Sequence, residues 1–205
     1  MNDDLKSMVG QDEKIMWEGK PSKKCFIFES IFNPMLPIAI IWLIFDLGII
    51  GNIGKAGSNG FGFFFVPFFL FHLMPVWIYL FGVIFSLRRY KNTYYIVTDK
   101  GMYLSEGMFA RKYDMKPFAE LSHVNLKRGV FDQMLNCGDI EATTSQMNQN
   151  GMPVSIAFKS ISNYEEVYKL VKKLQIDIYT DVMYPNDKRP KENHGYKTEY
   201  MGEDE

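Results

Sequence analysis

Cysteine and histidine are scarce in this chain of 205 residues, which carries two of the first and three of the second. Cys25 and Cys137 stand isolated from each other, with no CxxC pair and no metal-ligand spacing. That excludes a disulfide framework and suits a reducing compartment. His72, His123 and His194 make no HExxH or related array, so no metal centre is predicted. A basic excess is also lacking, since the formal net charge is -1, which argues against a nucleic-acid partner. There is no GxSxG elbow for a serine nucleophile. Gly54-Lys55 lacks the glycine five positions earlier that a phosphate loop needs, and Ala56 stands where Ser or Thr would hold magnesium. The carboxylates Asp99, Glu106, Asp114, Glu120, Asp132, Asp139 and Glu141 are scattered and read as solvated surface charge. No catalytic constellation and no cofactor site is expected, and the protein reads as non-enzymatic. The polar opening Met1–Glu13 has no apolar core of the kind a signal peptide needs.

What the chain does have is two long hydrophobic runs. Its mean hydropathy of -0.14 hides them, because apolar residues crowd between residues 31 and 87 while charge collects at both ends. A bilayer core of roughly 30 Å needs about 20 apolar residues at helical rise. Residues 34–53 meet that length with one charge, Asp46, and residues 61–87 exceed it with none if His72 is neutral. The ten residues Gly51–Gly60 between them form a glycine-rich turn too short for a domain, so the spans are predicted to run antiparallel. Lys20, Lys23 and Lys24 precede the first span, and Arg88, Arg89 and Lys91 follow the second, against Lys55 alone in the turn. Positive flanks stay inside, which predicts an integral, two-span protein of the cell membrane with both termini cytoplasmic. The same six residues are candidates for contact with anionic lipid, or a topology signal only.

Asp46 and His72 are the polar residues within the spans. A charged Asp at a helix centre costs about 2.5–3.5 kcal/mol on insertion scales, so such residues usually face a partner. Counted from the turn, the two fall within about one helical turn of the same depth. Two readings stand: they pair across the hairpin, or Asp46 lies at the outer boundary with His72 merely packed. Pro67 and Pro75 are expected to kink the second span.

After Asn92 the apolar period changes to two, the mark of half-buried strands. Segments at 94–98, 102–105, 111–115, 121–127, 139–144 and 154–159 alternate, with turn chemistry between them. Ser162 with Glu165 reads as a capping box, and Val167, Leu170, Val171 and Leu174 then mark one apolar helical face. Six strands closed by one helix describe a pleckstrin-homology-like (PH-like) small barrel or sandwich. The predicted layout is an arm over 1–31, a two-helix transmembrane hairpin over 32–91, the PH-like domain over 92–178 and a polar, mobile tail over 179–205.

The order of several short motifs carries a resemblance. These are Trp17-Glu18-Gly19-Lys20-Pro21-Ser22 before the hairpin, Tyr94-Tyr95-Ile96-Val97-Thr98 after it, then Gly101, Gly107, Leu121–Val124, Gly138-Asp139-Ile140 and Ser155–Phe158. Together they span roughly residues 13 to 175. The chain resembles the bacterial membrane-anchored PH-domain proteins of the YdbS-like family. One departure is Asn136-Cys137-Gly138, where the pattern has glycine-x-glycine. The resemblance implies a cytoplasmic PH-like domain and no reaction.

Known PH-like folds bind phosphoinositides through a basic first hairpin loop. The turn after Thr98 offers only Lys100 beside Asp99, while Lys112, Lys116, Lys127 and Arg128 are candidates for a basic surface. Met108-Phe109 and Val130-Phe131 are apolar where turns are usually polar. They dip into the bilayer, contact a partner, or pack under the barrel. The expected function is a membrane-anchored interaction module whose partners are the lipid bilayer and a protein or further copies of itself. The alternative is an accessory part of a transport or export system using Asp46 and His72.

Overall fold

The computed structural model describes residues 3–55 and 62–183, which divide into two units. One unit holds residues 3–25 together with 92–183, and the other holds the described part of Phe26–Lys91. The N-terminal arm therefore belongs to the same unit as the strands that follow Asn92.

Trp17-Glu18-Gly19 shows why. It lies in a strand, β1 (Ile15–Gly19), that pairs antiparallel with β2 (Tyr94–Thr98), Gly19 opposite Tyr95. The Trp17 ring folds over Gly19, where an added Cβ would lie 2.5 Å from Cζ2, so only glycine allows this approach. The ring then stacks on Phe158 at 6.2 Å between centroids. β3 (Gly101–Glu106) and β4 (Lys112–Pro117) complete a sheet of order β1-β2-β3-β4. β5 (Leu121–Lys127), β6 (Gly138–Met147) and β7 (Pro153–Ile161) form a second antiparallel sheet. The six predicted strands are all present, and β1 is the seventh.

Inward side chains of both sheets meet in one core. Tyr95, Val97, Met102 and Leu104 face Ile140, Ala142, Ile156 and Phe158, and the C-terminal helix adds Val167, Val171 and Leu174. Tyr95 joins the sheets by polar contact as well, since its hydroxyl donates to Lys159 O at 3.1 Å and accepts from Lys159 N–H at 3.0 Å. Period-two alternation predicted half-buried strands, yet β2 is buried at every position. The cause is the arm: a short helix, α1 (Asp3–Lys6), lays Leu5 against Tyr94, Ile96 and Tyr103 on the outer face of this sheet. Burial, then the hydrogen bond to Glu13, pushes the Tyr103 hydroxyl up to about 12.

The second unit holds α3 (Met35–Lys55), α4 (Gly62–His72) and most of α5 (Met74–Asn92), while α2 (Lys23–Ile31) leads into it. Asn33 Oδ1 accepts the Met35 N–H at 2.8 Å and so starts α3. Among the described residues one helix is long and apolar enough to cross a membrane, at Met35–Asn52. The stretch 61–87, expected as one span, is two helices that break at Leu73. Pro67 remains inside α4, whereas Pro75 falls on the second residue of α5, where a missing N–H is least costly.

Three short helices leave no periodic signal in the sequence, α1, α2 and α6 (Val130–Leu135). At the end of α6, Asn136 adopts φ 53°, the left-handed turn that Asn tolerates. That accounts for Asn136 at the position where the resemblance expects glycine. α7 (Tyr164–Met183) starts one residue later than the Ser162 capping box implies and runs past Ile178. The first helix-stopping residue beyond it is Pro185. Part of the expected tail is thus helical, and residues 184–205 lie outside the described residues.

Candidate functional site

Three side chains of α3 meet the break between α4 and α5. Pro75 brings no N–H, and the N–H groups of Val76 and Trp77 both turn to Leu73 O, at 2.9 and 3.0 Å. The carbonyl of His72 is thereby left without its usual helical donor. Trp42 supplies one, its indole N–H donating to His72 O at 2.6 Å. One turn further along α3, Asp46 Oδ1 lies 2.7 Å from His72 Nδ1. Phe68 stacks on the imidazole at 5.1 Å, with Trp42 at 5.2 Å and Phe45 at 6.1 Å. Asp46 is 1% exposed, although most of its neighbours on α3 are open, and its Oδ2 has no hydrogen-bond partner among the described residues. The structure thus brings Asp46 and His72 together, and sequence reasoning missed Trp42. Its signal was the spacing Trp42-x-x-x-Asp46, which puts both on one helical face.

The basic flanks divide. Lys20, Lys23, Lys24, Arg88, Arg89 and Lys91 are all exposed. Lys20 also lies over the Tyr94 ring at 5.9 Å, and Arg89 over Phe26 at 5.1 Å. The other four candidate cations make no common patch. Lys116 and Lys112 flank Asp114 at 3.3 and 3.6 Å, and Lys127 pairs with Glu141. Arg128 donates to Cys137 O at 2.9 Å while its guanidinium covers Tyr164 at 4.4 Å. Lys100 pairs with Asp12, which holds that carboxyl below its ordinary value. The turn at Lys100 is not the first hairpin of the barrel either. That hairpin is β1 to β2, and residues 20–93 are its connection.

Two candidate apolar pairs stand on the barrel unit. Met108 and Phe109 occupy the β3–β4 tip and are 39% and 71% exposed. Gly107 makes that tip possible, with φ +144° and Ala110 O where a Cβ would sit. On α6, Val130 and Met134 are both 72% exposed, whereas Phe131 is half-buried. Met134 had not been singled out, and its i+4 spacing from Val130 was its signal.

Cys25 and Cys137, isolated in sequence, are both buried and lie beside each other in the fold. The Cys25 thiol donates to Asp132 Oδ1 at 3.1 Å. Burial, then Asp132 and Cys137, push this thiol far up, which keeps it protonated and unreactive.

A family model for the bacterial PH domain matches residues 39–175. This chain belongs to the bacterial PH domain family. The matched stretch begins within α3 and ends within α7, so it takes in most of α3, then α4 and α5, as well as the later strands. PH domains are generally non-catalytic interaction modules, in keeping with two antiparallel sheets and a C-terminal helix. No curated protein and no solved structure matches the chain.

Proposed function

We propose that this bacterial PH-domain protein is a membrane-anchored, non-enzymatic interaction module of the YdbS-like kind, acting at the cytoplasmic face of the cell membrane and binding a protein partner there. The observation that carries the anchoring is α3. Its window Met35–Asn52 has a mean hydropathy of 1.9, yet only 11% of it is buried within the protein. A core helix of a soluble protein would be mostly covered, and so much bare apolar surface is stable only in lipid. α4 and α5 return the chain as a second, broken span. Trp42 satisfies the carbonyl that the break would otherwise leave open in hydrocarbon, and Asp46 pairs with the His72 side chain beside it. Because Asp46 and His72 engage each other, they fit a structural clamp better than a transport pathway. For the partner, β4 stands at the edge of its sheet, and an edge strand can accept an added one.

Topology is read by an impermeant thiol reagent on intact cells. Cys25 and Cys137 are buried and report nothing about sidedness, so an exposed position must be used. Ser58→Cys should label from outside and Met152→Cys only after lysis, and the reverse pattern would invert the orientation. A photo-crosslinker at Lys112, next to the β4 edge, should give one defined protein adduct in native membranes. Adducts to lipid alone would end the partner-binding reading.

A further inference from the structure

Every apolar protrusion already described lies at one end of the barrel unit. β1 leaves that end after Gly19, which is paired with Tyr95 at the start of β2. Asn92, the last residue of α5 and two before β2, donates from Nδ2 to Gly107 O at 3.0 Å, and its carbonyl accepts from the Ser105 hydroxyl at 3.1 Å. The β3–β4 tip with Phe109 therefore sits beside the point where the chain returns from the inserted helices. α6 sits beside the point where the chain departs. Its Asp132 meets Cys25 at 3.1 Å, and Ser22 N–H donates to Ser160 O, at the end of β7, at 2.6 Å. The exposed cations lie at the same departure, Lys20 just after β1 and Lys23 with Lys24 in the first turn of α2. The β6–β7 tip, with exposed Met147 and Met152, lies at the other end of its sheet, because Gly138 pairs with Ile161 and Met147 with Pro153.

We propose that this end of the PH-like unit is a membrane-seated face: Phe109 of the β3–β4 tip and Val130 with Met134 of α6 lodge in the boundary between headgroups and acyl chains, while Lys20, Lys23 and Lys24 meet anionic headgroups. The proposal rests on the anchored reading above. The occupant is lipid because the chain enters and leaves its own apolar helices at this end, so the connection keeps this end of the unit within reach of lipid whatever else the domain binds. Apolar side chains rimmed by lysines are the composition that partitions into an anionic interface. The seat restricts the domain to one orientation, so that the β4 edge is offered sideways rather than swung on a tether.

Full-length protein is reconstituted in vesicles of phosphatidylethanolamine and phosphatidylglycerol, with bimane at Phe109→Cys, Val130→Cys, Met152→Cys or Ile41→Cys, one at a time. The unsubstituted protein is the blank, since its two thiols are buried. Shallow doxyl-labelled lipid should quench bimane at positions 109 and 130 about twofold, with a blue-shifted emission, and leave position 152 unchanged. Replacing phosphatidylglycerol by phosphatidylcholine should reduce that quenching. Quenching at position 41 without any at 109 and 130 overturns the seated face and leaves the anchor intact. Absence of quenching at 41 removes the anchor and the seat together. A blue shift that grows with protein concentration and ignores the quencher lipid would assign the face to a second copy and overturn the lipid reading.

Discussion

A single missing Cβ at Gly19 decides whether the arm can join the barrel. Trp17 covers that position and reaches Phe158 in the core, so the side chain that Gly19 lacks would collide with the ring. Gly19→Ala should cost about 1–3 kcal/mol by displacing Trp17, the range for overpacking a filled site, read as a lowered denaturation midpoint at unchanged slope. Asp139 works through charge instead. It accepts the Ser160 N–H at 2.7 Å and holds Ser160 at φ 55°. Burial nonetheless outweighs that bond and raises its carboxyl above the ordinary 3.8. A raised acid binds more protons folded than unfolded, so its ionisation weakens the fold as pH rises through the interval above 3.8. Asp139→Asn keeps an acceptor and never ionises. Its melting temperature should exceed that of the parent at neutral pH, and the gap should close as pH falls toward 3.8. A gap that widened on acidification would reverse the sign.

Among the elements, the break between α4 and α5 is the one whose geometry needs help. At the break the Val76 N–H bonds Leu73 O instead of the His72 carbonyl, and α3 answers with an indole donor to that carbonyl and a carboxylate to the His72 imidazole. Trp42→Phe should cost about 1 kcal/mol of hairpin stability in micelles through the lost hydrogen bond. Asp46→Ala and His72→Ala should be coupled in a double-mutant cycle by about 0.6 kcal/mol, the usual size for such pairs in membranes. Additivity of the two would mean that the 2.7 Å contact contributes nothing. Sequence depth-counting brought these two residues level but left their pairing open. It had no access to Trp42, whose partner is a backbone carbonyl released only by the local break.

At the scale of the whole molecule, the barrel is interrupted by the helices it carries. β1 and α1 precede the insertion, so the strands after Asn92 taken alone would lack their first neighbour and the cover over Tyr94, Ile96 and Tyr103. A fragment of residues 92–183 should therefore fail to give a cooperative melt. Residues 1–25 joined to 92–183 by a short glycine-serine linker should fold, with dispersed amide resonances and a two-state transition. A well-folded 92–183 fragment would show that the arm is dispensable.

The sequence by itself determined the apolar runs, the basic flanks, six of the seven strands and the closing helix. Those features are written in local periods, and burial on one face selects them residue by residue. Only the tertiary structure decided that the arm is part of the barrel. A five-residue strand separated from its partner by an insertion leaves no periodic trace, and its glycine matters only where a ring lies above it. Tertiary structure also set Cys25 beside Cys137, gave Lys112, Lys116 and Lys127 their carboxylate partners, and joined Asn92 to the β3–β4 tip through Gly107 O. Such proximities depend on how distant segments close in space, which spacing along the chain does not encode.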